Sequence, residues 1–137
     1  MERMNDLVTY IGYRYNTFDP FGIAEKLNID VQFKDFDGEP KGETVNFFGR
    51  PIILLNDELK YSNQKYFVCA HELAHALEHV DMSAYYISNR SVKNQFEYQA
   101  DQFAVALLTC FYREEFDTLP NTYGDLMREY GSPKQYL

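Results

Sequence analysis

The chain has no tryptophan, two cysteines and three histidines among 137 residues. The two cysteines, Cys69 and Cys110, each in an apolar context, read as reduced, buried thiols of a cytosolic protein, with a single disulfide between them as the alternative. Basic residues are scarce: 13 Lys and Arg stand against 21 Asp and Glu, a net charge of −8. That balance argues against a nucleic-acid-binding surface, because phosphate contacts need clustered cations. No apolar run approaches the roughly 20 residues that span a bilayer. The first residues, Met1 to Asp6, lack the apolar core of a signal peptide, so the expected location is the cytoplasm. What is present is ample core material: 45% hydrophobic and 17% aromatic residues, with twelve Tyr and eleven Phe. Residues 1–137 are expected to form one domain that buries roughly two-thirds of its unfolded surface.

Residues 3–15 place Met4, Leu7, Val8, Ile11 and Tyr15 at helical spacing, which predicts a first amphipathic helix. Asp19 as N-cap and Pro20 at the first helical position predict a second helix through Leu27. Ile29, Val31 and Phe33 alternate with polar residues as in a strand. After a polar turn over 35–43, residues 44–48 and 52–55 read as two strands joined by a tight hairpin at Gly49 and Arg50. Pro51 suits an edge or first position in its strand. A long helix follows, capped by Ser62 and ending near His79; residues 80–92 read as a loop; and residues 93–109 return to helix. A short helix is expected over 121–130. The fold class is therefore α+β, a small, partly antiparallel sheet packed against helices.

Within the long helix, His71, Glu72 and His75 form an H-E-x-x-H motif. Residues four apart share a helix face, so the two imidazoles can aim at one point. A divalent ion held there needs neutral imidazole nitrogens at about 2.0–2.1 Å, and the neighbouring Glu72 can reach a water on it. These are the parts of a zinc hydrolase, in which the ion acidifies a water and a carboxylate takes its proton. The ordinary alternative is a buried helix whose two histidines are satisfied by hydrogen bonds.

A catalytic zinc usually takes three protein ligands and leaves one position for water. His79 continues the series, but eight helical residues separate it from His71 by roughly 12 Å, and two nitrogens on one ion must lie within about 4 Å. It reads as a helix-end residue. Glu97 is the better candidate, about 60° from the buried face at Ala100 on the next predicted helix. Asp101, one turn on, is placed to hold the far nitrogen of His71 or His75. Two carboxylates at that spacing repel, a cost that a nearby cation reverses; on many helices the same pair is a solvated acidic face. Asp81 and Glu78 are weaker alternatives.

The run from Phe67 to His79, with its H-E-x-x-H, and the run Glu97, Tyr98, Gln99, Ala100, Asp101, Gln102, Phe103, Ala104 resemble the ImmA/IrrE family of small metallopeptidases. Asp19 to Ile29 and the apolar strand 52–55 add weaker echoes. One departure is Thr109, Cys110 and Phe111 after Leu108, where many relatives have a Met-Pro pair. The resemblance implies a zincin-like, gluzincin-type site: one zinc on His71, His75 and Glu97, with Glu72 as general base. It also implies a role, since members on phages and mobile elements cleave a separate helix-turn-helix repressor and derepress the element. The substrate is expected to lie extended along an exposed sheet edge. Tyr85 or Tyr86 in the loop could donate to the oxyanion, although ordinary packing of these rings is the favoured reading. A rival from another class is a zincin-shaped binding protein that grips a repressor or a toxin partner without hydrolysis.

Overall fold

A computed structural model describes residues 2–79 and 89–134. Helix α1 (Glu2–Tyr15) and helix α2 (Pro20–Lys26) lead into strand β1 (Asp30–Lys34), then strands β2 (Gly42–Phe47) and β3 (Arg50–Asn56). Helix α3 (Gln64–Ala74) runs on into a single π turn, His75–His79, and helices α4 (Arg90–Phe116) and α5 (Tyr123–Tyr130) complete the described chain. The α+β class expected from the pattern is what forms: five helices and a three-stranded mixed sheet among the described residues.

Local chemistry sets several boundaries. Asp19 caps α2 by accepting from the Phe21 N–H at 3.0 Å, with Pro20 at the first position where its missing N–H costs nothing. Asn89 caps α4 through the Val92 N–H. That cap starts α4 at Arg90, three residues before the expected start, and the helix also runs past the expected end at Thr109 to Phe116. No proline or glycine interrupts it, Phe111 is buried, and Asp117 closes it in the left-handed region. The missing Met-Pro pair thus goes with an unbroken helix. At the start of α3 the capping residue is Asn63 rather than Ser62, although the Ser62 hydroxyl accepts from the Gln64 N–H. The remainder of the expected loop over 80–92, with Asp81, Tyr85 and Tyr86, lies outside the described residues.

The sheet has the order β1-β3-β2, with β1 parallel and β2 antiparallel to β3. Proline 51 therefore sits in the central strand, not on an edge. It is tolerated because β1 joins only from Ile52 onward. On the other side, the Asn56 N–H donates to Lys41 C=O at 2.8 Å. Antiparallel alternation from that bond makes Glu43–Leu54 and Val45–Ile52 hydrogen-bonded pairs and Asn46–Pro51 a non-bonded one, where no N–H is required. The same alternation turns the backbone groups of Gly42, Thr44 and Asn46 toward the outer edge of β2.

Ile53 and Leu55 of β3 are fully buried with Ile23, Leu73, Phe103, Leu107 and Leu108, so the core lies where the sheet, α3 and α4 meet. Tyr66, Phe111 and Tyr130 cluster beside it, ring centroids 5.6–5.9 Å apart, with Phe111 and Tyr130 stacked and Tyr66 tilted or edge-on to them. Cys69 is buried and Cys110 half-buried, and both are free thiols. Burial pushes both upward, Cys69 furthest, so neither is poised as a thiolate.

The hairpin turn falls at Phe48 and Gly49, one residue before the expected pair, and both have positive φ (52° and 81°). Such a turn favours Asn-Gly, because glycine has no Cβ to crowd the carbonyl and the short amide of asparagine offsets that crowding by bonding locally. Phe48 is also 91% exposed and touches Phe47 edge-on. Phe48→Asn is therefore expected to stabilise the fold by up to about 1 kcal/mol. The urea midpoint reads this; an unchanged or lower midpoint means that the ring pair outweighs the strain.

Candidate metal centre

Helix α3 presents His71, the π turn that continues it presents His75 one turn on, and α4 lies alongside so that Glu97 and Asp101 face them. His71 Nε2 and His75 Nε2 are 3.3 Å apart. The Glu97 carboxylate bridges them, Oε2 at 2.7 Å from His71 and Oε1 at 3.2 Å from His75. Asp101 Oδ1 accepts from His71 Nδ1 at 2.7 Å. That bond keeps a proton on Nδ1 and turns Nε2 toward the other two donors. His75 is 8% exposed and Glu97 42%, so the cluster is closed on the α3 side and open to solvent on the α4 side.

A tetrahedral ion with bonds of about 2.0–2.1 Å separates its ligand atoms by about 3.3 Å. The imidazole pair and the distance from His75 to Glu97 Oε1 match that spacing, while the other carboxylate oxygen, Oε2, lies at direct hydrogen-bond distance from His71. Among the described residues, His71, His75 and Glu97 form the group whose donor atoms all lie within 4.8 Å of one another. Three electron-rich atoms repel unless a cation or a proton sits among them, so the residues fit a divalent ion. Glu78 is not in that group, and His79 closes the π turn at the far end of the same segment. The π turn begins at His75 itself, a widening that recurs at functional sites.

The electrostatics describe the same competition. Burial alone would lower the His71 pKa, but its bonds to Asp101 and Glu97, with the charges of Glu72 and Glu97, raise it to about 10. Burial would raise Glu97, yet its contacts with both histidines hold it well below the usual carboxylate range. Glu72 is pushed up by burial, opposed by the two histidine charges and the Thr44 bond. Without an ion, the raised His71 pKa contributes stability in full below pH 6.5, and that contribution is lost as pH rises through about 10. At pH 7 an incoming ion must therefore displace this proton, whereas Glu97 is already ionised. Calorimetry in buffers of different ionisation enthalpy is expected to show release of about one proton per ion bound. No release would mean that His71 is neutral beforehand.

Sequence reasoning missed two residues here. Thr44 and Gly42 lie on the face of β2 that meets α3. The Thr44 hydroxyl is 2.8 Å from Glu72 Oε1 and 3.0 Å from the Glu72 carbonyl oxygen. A Cβ on Gly42 would sit 2.6 Å from Val68 Cγ1 and 3.1 Å from Glu72 Cγ, so the strand approaches this closely only with glycine there. A glycine two residues before a β-branched residue at a strand start was the available signal, but nothing local names its partner helix.

A helix pair offering two imidazoles and a carboxylate, with a further glutamate beside them, defines a zincin-like metallopeptidase class. The family model described as the IrrE N-terminal-like domain, a metallopeptidase family, matches residues 24–137, and the chain belongs to that family. It is also 30% identical over 97 residues to immunity region protein 2 of Bacillus phage phi105. That match covers 69% of this chain and 61% of the relative, so the chain spans less than two-thirds of that protein's length. No helix among the described residues is long and apolar enough to cross a membrane.

Proposed function

We propose that this chain is a zinc-dependent, site-specific endopeptidase of the cytoplasm that cleaves a separate helix-turn-helix repressor of a phage or mobile element. His71, His75 and Glu97 hold the ion, and Asp101 orients His71. The observation that carries this reading is the meeting of two imidazole nitrogens and a carboxylate beside a second, buried glutamate, Glu72, 7% exposed. The immunity-region name of the phage relative supports the repressor as substrate.

When bound, zinc supplies Lewis-acid polarisation of the scissile carbonyl and acidifies a water. Glu72 takes the proton of the attacking water and passes it to the leaving nitrogen. Its Oε1 is engaged by Thr44, which leaves Oε2 for that transfer. Of the two sheet edges, β2 is the one that passes Glu72, and its outward backbone groups at Gly42, Thr44 and Asn46 can pair with an extended substrate segment. The sides of the cleft are then β2 and the solvent-facing flank of Glu97.

Co-expression with the regulator encoded beside the gene tests the reading. A trimmed regulator is expected with the wild type and an intact one with Glu72→Gln. An intact regulator in both removes it as substrate. A Glu72→Gln chain that still relieves repression means that binding, not hydrolysis, is the activity.

A further inference from the structure

We propose that Thr44 on the edge strand β2 is a positioning residue that sets the orientation of the Glu72 carboxylate; the inference rests on the reading of Glu72 as the base. Three observations converge on it. Among the described residues, Thr44 carries the hydroxyl that is hydrogen-bonded to that carboxylate, at 2.8 Å, where Glu72 is 7% exposed. The same hydroxyl lies 3.0 Å from the Glu72 carbonyl oxygen, so side chain and backbone of one residue are gathered by one group. Two residues earlier on the same face, Gly42 leaves no room for a Cβ against Glu72 and Val68, which keeps the strand at the distance this contact needs.

A glutamate has three rotatable side-chain bonds, and a buried one with no fixed partner samples several rotamers. Thr44 removes that freedom by anchoring one oxygen, so the other is presented in one direction. The anchor sits on the strand whose outer edge takes the substrate. Seating a segment on β2 therefore bears on the alignment of the base, and a shift of the strand displaces both together. Because positioning acts on the reaction step more than on docking, its loss falls on kcat rather than KM. Among the described residues, the Thr44 hydroxyl is bonded to Glu72 and not to the three donor atoms.

The test uses the full chain, zinc-loaded and metal-free, with the neighbouring regulator as substrate probe. Thr44→Val keeps the shape and removes the hydroxyl; it is expected to retain zinc and KM within about twofold and to lose roughly 10–100-fold in kcat, the range for partners that orient a site residue. Thr44→Ser restores the hydroxyl and is expected to recover most of kcat. Melting of the metal-free chain gives a reading that needs no turnover: the loss caused by Thr44→Val is expected to shrink when Glu72 is already Ala, since the two side chains then no longer meet. Additive melting losses, or a Thr44→Val chain that cuts at the wild-type kcat, overturn the proposal. If the wild type cuts nothing while the melting losses are non-additive, the pairing stands and the protease reading alone fails.

Discussion

Glu72→Gln is expected to bind zinc as the wild type does and to lose cleavage by a factor on the order of 10²–10⁴. The substitution keeps the size of the side chain and an oxygen for Thr44, but an amide cannot take a proton from water. Glu72 is not among the three converging donors, so the ion's affinity has no direct reason to fall. The buried position of Glu72 adds a second expectation. Without an ion, burial raises its pKa against the opposing histidine charges and the Thr44 bond, and if it is the base, wild-type activity is expected to decline on the acidic side as it protonates. Zinc content by elemental analysis and initial rates of regulator cleavage check both points. Cleavage at the normal rate by the glutamine variant would remove Glu72 as the base.

Removing the carboxylate of Glu97 has the next largest expected effect, and it is read in stability rather than turnover. An ion that binds only the folded chain at a thousandfold over its Kd stabilises it by about 4 kcal/mol, on the order of 10–20 °C in melting temperature for a chain of this size. Chelation is expected to abolish that gain in the wild type. Glu97→Ala is expected to show no gain at all, because the two imidazoles alone leave the ion half-ligated. Asp101→Asn should keep a gain but need 10–100 times more zinc, because it weakens the hold on the His71 ring without removing a donor. Differential scanning calorimetry with and without zinc separates the three. A Glu97→Ala chain with the full zinc-dependent rise would remove Glu97 from the ligand set.

The helical elements were largely legible because their determinants are local. Asp19 with Pro20 marks the start of α2, the Met4, Val8 and Ile11 stripe marks α1, and the apolar alternation marks the strands. Boundaries slipped where a single capping group competes with its neighbours: Asn89 started α4 early, and the positive-φ pair at Phe48 and Gly49 moved the hairpin turn by one residue. The strand order was not legible. Pro51 suits an edge strand or a strand's first position when only the chain's own N–H is counted, and it lies second in the central strand. It becomes acceptable in the centre once β1 is seen to stop short of it and β2 to meet it at a non-bonded pair.

From the residues alone came the pairing of His71 with His75, since one helical turn brings them together whatever the rest of the molecule does. The same residues supplied Glu97 and Asp101 as candidates, because both flank the buried stripe through Ala100 and Ala104. The tertiary structure decided which atoms meet: the packing of α4 on α3 sets Glu97 across both imidazoles and Asp101 on the outer nitrogen of His71. It also decided that β2, rather than β1, runs beside Glu72 and brings Thr44 to it. A helix carries its own hydrogen bonds and declares itself in spacing, whereas the contact of a strand with a helix 28 residues away depends on how the whole core closes.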